Sequence, residues 1–70
     1  MKYVVLFEHT ETSWSAYVPD LPGCIAAAKT RTETEKLIQE AIEFHIEGMR
    51  LDGEPVPPPT TEVEFISVPA

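Results

Sequence analysis

Basic residues are scarce. Five lysines and arginines stand against twelve acidic residues, and the net charge is −7 over seventy residues. A nucleic-acid binder needs Lys and Arg to displace counterions from phosphate, so direct contact with RNA or DNA is not expected. Cys24 is the single cysteine, which excludes an intrachain disulfide and a CxxC metal or redox site. Long apolar runs are missing too. No uninterrupted run exceeds five residues, as in Tyr3 to Phe7, against the ~20 that a membrane helix needs. Lys2 leads directly into that strand-like run with no cleavage pattern, and a cytoplasmic location is expected. The chain has room for one small domain, 1–70. A domain of this size buries only about 60% of the surface its unfolded chain exposes, and oligomerisation or a bound partner is a common remedy.

What is present is strongly patterned. Lys2 to Glu8 is rich in aromatic and β-branched residues and reads as a strand. Tyr3, Val5 and Phe7 face one way and Val4 and Leu6 the other; both faces are apolar, which places the strand inside a sheet. His9 to Ser13 has the length of a hairpin loop, and Trp14 to Val18 is a second strand. Next comes Tyr17-Val18-Pro19-Asp20-Leu21-Pro22-Gly23-Cys24, the turn around which the rest is arranged. Val18 and Leu21 precede prolines and are pushed toward extended geometry. Pro22-Gly23 suits a type II turn, and the Asp20 side chain is expected to accept from N–H groups two residues on. Cys24 to Lys29 is a third strand, weakened by Ala26, Ala27 and Ala28.

Thr32-Glu33-Thr34-Glu35 fits a capping box, so a helix is expected from Glu33 to about Arg50, ending before Gly53. Its apolar residues, with His45 among them, fill an arc of roughly 200°, twice the ~100° needed to cover a sheet. The surplus faces either the far side of a wrapped core or another chain. Pro55, Pro57, Pro58 and Pro59 make the next segment a stiff extended link. Glu62 to Val68 then reads as a fourth strand, with acidic side chains that suit an edge. The order is β-β-β-α-β in the α+β class. A right-handed crossover and an apolar first strand give a four-stranded mixed sheet of order 3-2-1-4, with the helix on one face. The other face keeps apolar side chains uncovered, which points to association.

Residues that carry chemistry are few. His9 and His45 lie in no metal-ligand spacing. Cys24 has no basic partner to depress its pKa. No nucleophile elbow, GxGxxG or P-loop occurs. Glu40, Glu43 and Glu47 share one helix face, where a solvated surface is the ordinary meaning. No catalytic residue, cofactor or metal is called for.

Three segments together resemble the HicB-like antitoxin family. They are Trp14-Ser15-Ala16-Tyr17-Val18-Pro19-Asp20-Leu21-Pro22-Gly23-Cys24, then Thr32-Glu33-Thr34-Glu35-Lys36-Leu37, and Glu40 to Met49 followed by Asp52-Gly53-Glu54-Pro55-Val56-Pro57. The resemblance runs over nearly the whole chain and implies a partial RNase H-like fold. It also implies a partner: a small toxin of the HicA type, an mRNA interferase whose active surface the family covers. Many family members add a C-terminal DNA-binding domain that acts on their own promoter; nothing in residues 1–70 matches one, and none is expected.

The expected function is therefore sequestration of a basic RNA-cleaving toxin, without catalysis. Tyr17 and Leu21 serve as apolar anchors, Asp20 as an acidic group, and Glu40, Glu43 and Glu47 as an acidic rim. Self-association into a homo-oligomer is expected beside it. The alternatives are an orphan homo-oligomer of this family and a metal-dependent RNase H-like nuclease.

Overall fold

The structure, a computed structural model, describes residues 1–69. Three strands and one helix form: β1 (Leu6–His9), β2 (Trp14–Tyr17), β3 (Ile25–Ala28) and α1 (Arg31–Leu51). The sheet is antiparallel, of order β1-β2-β3. Two rows set its geometry: Leu6 opposes Tyr17, which opposes Ile25, and Phe7 opposes Ala16, which opposes Ala26. The second row faces α1. There Ala16, Val18, Leu21, Cys24 and Ile38 form the buried core, with Phe7, Ile42 and Ile46 packed around it. The first row lies on the face without a helix, as the alternation of the strands requires.

The β1–β2 hairpin is closed by Thr10 and Ser13. The Thr10 N–H donates to the Ser13 carbonyl at 2.9 Å, and the Ser13 N–H donates to Thr10 Oγ1 at 3.1 Å. His9 and Trp14, opposite one another across the hairpin, stack with ring centroids 4.2 Å apart. Between β2 and β3 the expected turn is in place. The Cys24 N–H donates to the Leu21 carbonyl at 3.0 Å around Pro22 and Gly23, and Gly23 has φ +84°. This is the type II geometry that Pro-Gly favours. A second tight turn precedes it, with the Leu21 N–H donating to the Val18 carbonyl at 3.1 Å. Leu21 is thus the hinge of two successive turns, and its side chain points into the core.

The helix starts two residues earlier than the capping box at Thr32 predicts. Thr30 is the N-cap: its Oγ1 accepts from the Glu33 N–H at 3.1 Å, and the Glu33 carboxylate accepts from the Thr30 hydroxyl at 3.0 Å. Thr30-Arg31-Thr32-Glu33 has the same box spacing. It prevails because Thr34 is then fully buried under β2, with its hydroxyl donating to the Thr30 carbonyl at 2.8 Å. Starting the helix at Thr32 would forgo that bond. Thr30→Ala should therefore cost about 1 kcal/mol, while Thr32→Ala, on an exposed position, should stay within about 0.5 kcal/mol; chemical denaturation of the two variants checks the difference. At the other end Gly53, with φ +71°, closes a Schellman motif. The Glu54 N–H donates to the Met49 carbonyl at 2.9 Å and the Gly53 N–H to the Arg50 carbonyl at 3.2 Å.

Two further expectations are corrected. The fourth strand, Glu62 to Val68, is not formed among the described residues, and neither is the mixed sheet of order 3-2-1-4. With no fourth strand beside it, the first strand shortens from Lys2–Glu8 to Leu6–His9, and residues 2–5 run on without a ladder partner. The proline-rich link is held at two points. The Tyr3 hydroxyl donates to the Pro57 carbonyl, and Asp20 grips Thr60 and Thr61. Beyond that grip the chain leaves the body of the domain. Phe65 is 97% exposed, and Val63, Ile66 and Val68 are exposed as well. The longest dimension is 48 Å, beyond the ~31 Å of a 21-residue helix.

Candidate functional site

Besides the C-terminal tail, two surfaces of the body present apolar side chains to solvent. The first is the face of the sheet that carries no helix. Leu6, Tyr17 and Ile25 cross it in one row, with Tyr17 38% and Ile25 70% exposed. Beside them lies a shallow groove of about 680 Å³ that reaches from Ser15 and Ala27 to Pro19, Pro22 and Gly23. Glu8, Ser15 and Ala27 form the next row and bound the apolar patch with polar and small groups.

The second surface is a flank of α1, between the face that packs on the sheet and the charged outer face. Leu37, Phe44 and Leu51 recur every seven residues, and all three are exposed, Phe44 at 80%. Ala41 and Gly48 stand between them at spacings of four and three, both partly buried, with Ala41 packed against the core. This is the apolar seam that helices present to a partner helix or groove. Glu40 and Glu47 lie along one side of it, within one turn of Phe44. All of these side chains project from one helix whose two ends are both capped.

The residues expected to bind a partner are dispersed: four lie on three different surfaces, and two are engaged within the fold. Tyr17 is on the open sheet face. Glu40 and Glu47 border the helix stripe. Glu43 lies round the helix, where with Glu47 it edges a groove of about 610 Å³ that Tyr3, Ile42 and Ile46 floor. Leu21 does not serve as an anchor at the surface: it is completely buried, and no part of it reaches solvent. Asp20 is not free for a partner either, and it does not bond the N–H groups two residues on. Its Oδ2 accepts from the N–H groups of Thr60 and Thr61, each at 3.0 Å, and its Oδ1 from their hydroxyls at 3.1 and 2.8 Å. The turn thus fastens the C-terminal segment. The helix stripe, by contrast, is present in the sequence as the surplus of the 200° apolar arc, but no single residue in it stands out there as exposed.

The four bonds stabilise the ionised form of Asp20 and hold its carboxyl below the ordinary value of 3.8, the Thr61 N–H contributing most. A depressed pKa stabilises the clamp above the unfolded-state value and loses that stabilisation as pH falls through the folded-state value. The clamp should be closed at neutral pH and open only in acid below the usual carboxylate range. The amides of Thr60 and Thr61 should exchange slowly at pH 7, whereas in Asp20→Ala they should exchange freely at the same pH; hydrogen exchange read by NMR checks both. Cys24, buried beneath the turn, has its thiol pushed above its ordinary 9.0 by desolvation, the reverse of what a nucleophile needs. Among the described residues no three His, Cys, Asp or Glu side chains gather as a metal site, and no helix is long and apolar enough to cross a membrane.

A family model described as the HicB-like antitoxin of bacterial toxin–antitoxin systems matches residues 3–69. The chain belongs to the HicB-like antitoxin family. Among curated proteins, Antitoxin HicB 2 of Photorhabdus laumondii is 37% identical over 71 aligned positions, covering 100% of this chain and 51% of that protein. An uncharacterised 14.9 kDa protein of Haemophilus phage HP1 is 38% identical over 69, covering 99% and 52%. This HicB-like chain thus spans about half the length of these two relatives. A UPF0150 protein of Thermoplasma acidophilum is nearer in length, 38% identical over 58 residues that cover 81% of this chain and 84% of that one. A solved structure of a HicA3 and HicB3 toxin–antitoxin complex superposes with a TM-score of 0.71 at 33% identity, over 84% of this chain and 70% of its counterpart. The HicB-like resemblance read from the turn and the helix is thereby established.

Proposed function

We propose that this HicB-like domain masks a small, basic, RNA-cleaving toxin of the HicA type and performs no catalysis of its own. The observation that carries the proposal is the exposed stripe Leu37–Phe44–Leu51 with Glu40 and Glu47 beside it. A surface that grips RNA must present Lys and Arg. A chain of net charge −7 draws such a surface in and speeds encounter. Charge alone is screened by salt, so a lasting complex needs an apolar centre within its acidic rim, and the stripe supplies one on a capped helix. Family membership and the likeness to a HicA3–HicB3 complex support the same reading. Tyr17, on the opposite face of the sheet, is a second candidate contact. Co-expression with a basic toxin of the HicA type tests the proposal. The pair should co-purify and the growth arrest caused by the basic protein should be relieved; failure of both would sink it.

Self-association is a second reading, supported by the apolar tail that leaves the body at Thr61. It is compatible with toxin masking, because tail and helix stripe are separate surfaces.

A further inference from the structure

The tail has the sequence of a strand and the surroundings of none. Val63 and Phe65 alternate with Glu62 and Glu64, and Ile66 and Val68 continue the apolar set. Every one of these side chains is exposed, Phe65 almost completely. The same molecule carries an unfilled place for a strand. Among the described residues β1 pairs only with β2, so its other edge offers a row of unpaired N–H and C=O groups. Tyr3, Val5 and Phe7 pack alternately onto the core, which makes residues 3–9 one extended segment, longer than its ladder with β2. Seven residues of edge, 3–9, face seven residues of tail, 62–68. The tail does not lie along its own β1: after Thr60 and Thr61, which Asp20 holds at the β2–β3 turn, residues 62–69 are all exposed and in no ladder.

We propose that residues 62–68 form a fourth strand on a second copy of this chain, laid along the free edge of the partner's β1, with the exchange made reciprocally about a two-fold axis. This deepens the self-association reading and rests on it, not on the toxin. Reciprocal exchange fills both free edges at once and leaves no open repeat. It removes two liabilities together, the exposed edge and the exposed apolar tail. In the paired state Val63 and Phe65 cover one face of the sheet margin, while Ile66 and Val68 cover the other. The acidic Glu62 and Glu64 remain on a strand that is now the sheet's edge, where charge discourages further pairing.

The test uses the whole chain and the double variant Glu64→Pro/Phe65→Pro. Consecutive N–H groups of a strand point to opposite edges, so replacing two neighbours removes a ladder donor whichever edge is used. Each dimer then loses a bond at two symmetric places, and the dissociation constant should rise roughly 100-fold. The tail touches little of its own body, so circular dichroism of the variant should keep the native helix signal. Sedimentation equilibrium should find the parent chain dimeric at micromolar concentration and the variant monomeric. Amide exchange in the parent should show alternate residues of 63–67, and one of Val4 and Val5, gaining protection together as concentration rises. A monomeric parent chain would overturn the exchange and self-association alike. A dimer that survives the two prolines, or forms without protection of the tail, would overturn the exchange alone and leave association through another face.

Discussion

Leu21→Ala should unfold a large part of the population at physiological temperature. Leu21 is completely buried at the centre of the core, between Val18, Cys24 and Ile38. Truncating a buried leucine removes its transfer free energy and leaves a cavity, a loss of about 2–5 kcal/mol. Globular domains have about 5–15 kcal/mol in all, and one of seventy residues belongs near the low end. The position is also unfavourable for relaxation. Two successive turns fix the Leu21 backbone, through its own N–H to Val18 and its carbonyl to Cys24, so the chain cannot slide inward to fill the space. A fall in melting temperature of at least ~10 °C is expected, read by circular dichroism. A fall of only a degree or two would mean that the turn, rather than the side chain, holds this part of the core. Lost partner binding in this variant would therefore report unfolding and not a broken contact.

Phe44→Glu should leave the free domain intact and weaken the proposed toxin complex about 30-fold or more. Phe44 is 80% exposed on a helix capped at both ends, and surface changes of this kind usually alter stability by less than about 0.5 kcal/mol. At the centre of an apolar contact the same change removes an aromatic anchor and places a charge where water is excluded. Losses of ~2 kcal/mol or more are usual for such a position, a factor of about 30 in Kd. Glu40→Gln and Glu47→Gln should behave differently. As rim charges they should slow association and flatten its salt dependence, with a smaller change in dissociation rate. Titration calorimetry and stopped-flow mixing with the toxin separate the two behaviours. Unchanged affinity in Phe44→Glu, with loss in Tyr17→Glu, would move the contact to the open face of the sheet.

Local chemistry makes much of this fold legible in the sequence. The Pro22-Gly23 turn, the three strands and the helix each depend on neighbours along the chain, and each can be read from them. Where two local solutions compete, the sequence leaves a tie. Thr30-Arg31-Thr32-Glu33 and Thr32-Glu33-Thr34-Glu35 satisfy the same capping pattern, and the choice falls to Thr34, whose burial beneath β2 is a tertiary fact. The acidic residue of the turn obeys the same rule: two residues on from Asp20 stands Pro22, which has no N–H to give, and a segment forty residues away supplies the donors instead. Leu21 reads as an exposed anchor because it stands in a turn, and turns ordinarily lie at the surface; this turn instead folds over the core and buries it completely. The fourth strand is the opposite case. Its alternation is a true property of residues 62–68, but a strand exists only beside an edge, and no pattern within the segment says whose edge that is. Of the candidate site, the surplus apolar arc of α1 is legible as an amount, whereas the identity of Leu37, Phe44 and Leu51 as its exposed part depends on where the sheet meets the helix.

The lone thiol beneath the turn makes the domain its own recorder of opening events. Cys24 is 3% exposed and is the chain's single reactive sulfur. A thiol-directed reagent meets it only when the turn lifts from the helix, and the raised pKa suppresses the background reaction while the domain stays closed. In excess reagent at fixed pH, the labelling half-life therefore measures how often that lifting occurs. Where reclosing outpaces labelling, the rate gives the fraction open; where it does not, the rate gives the opening step itself. A bound toxin or a second copy that braces the turn will lengthen the half-life, and one that docks elsewhere will leave it unchanged. A single mass-spectrometric time course thus locates a partner relative to Cys24 without any engineered probe.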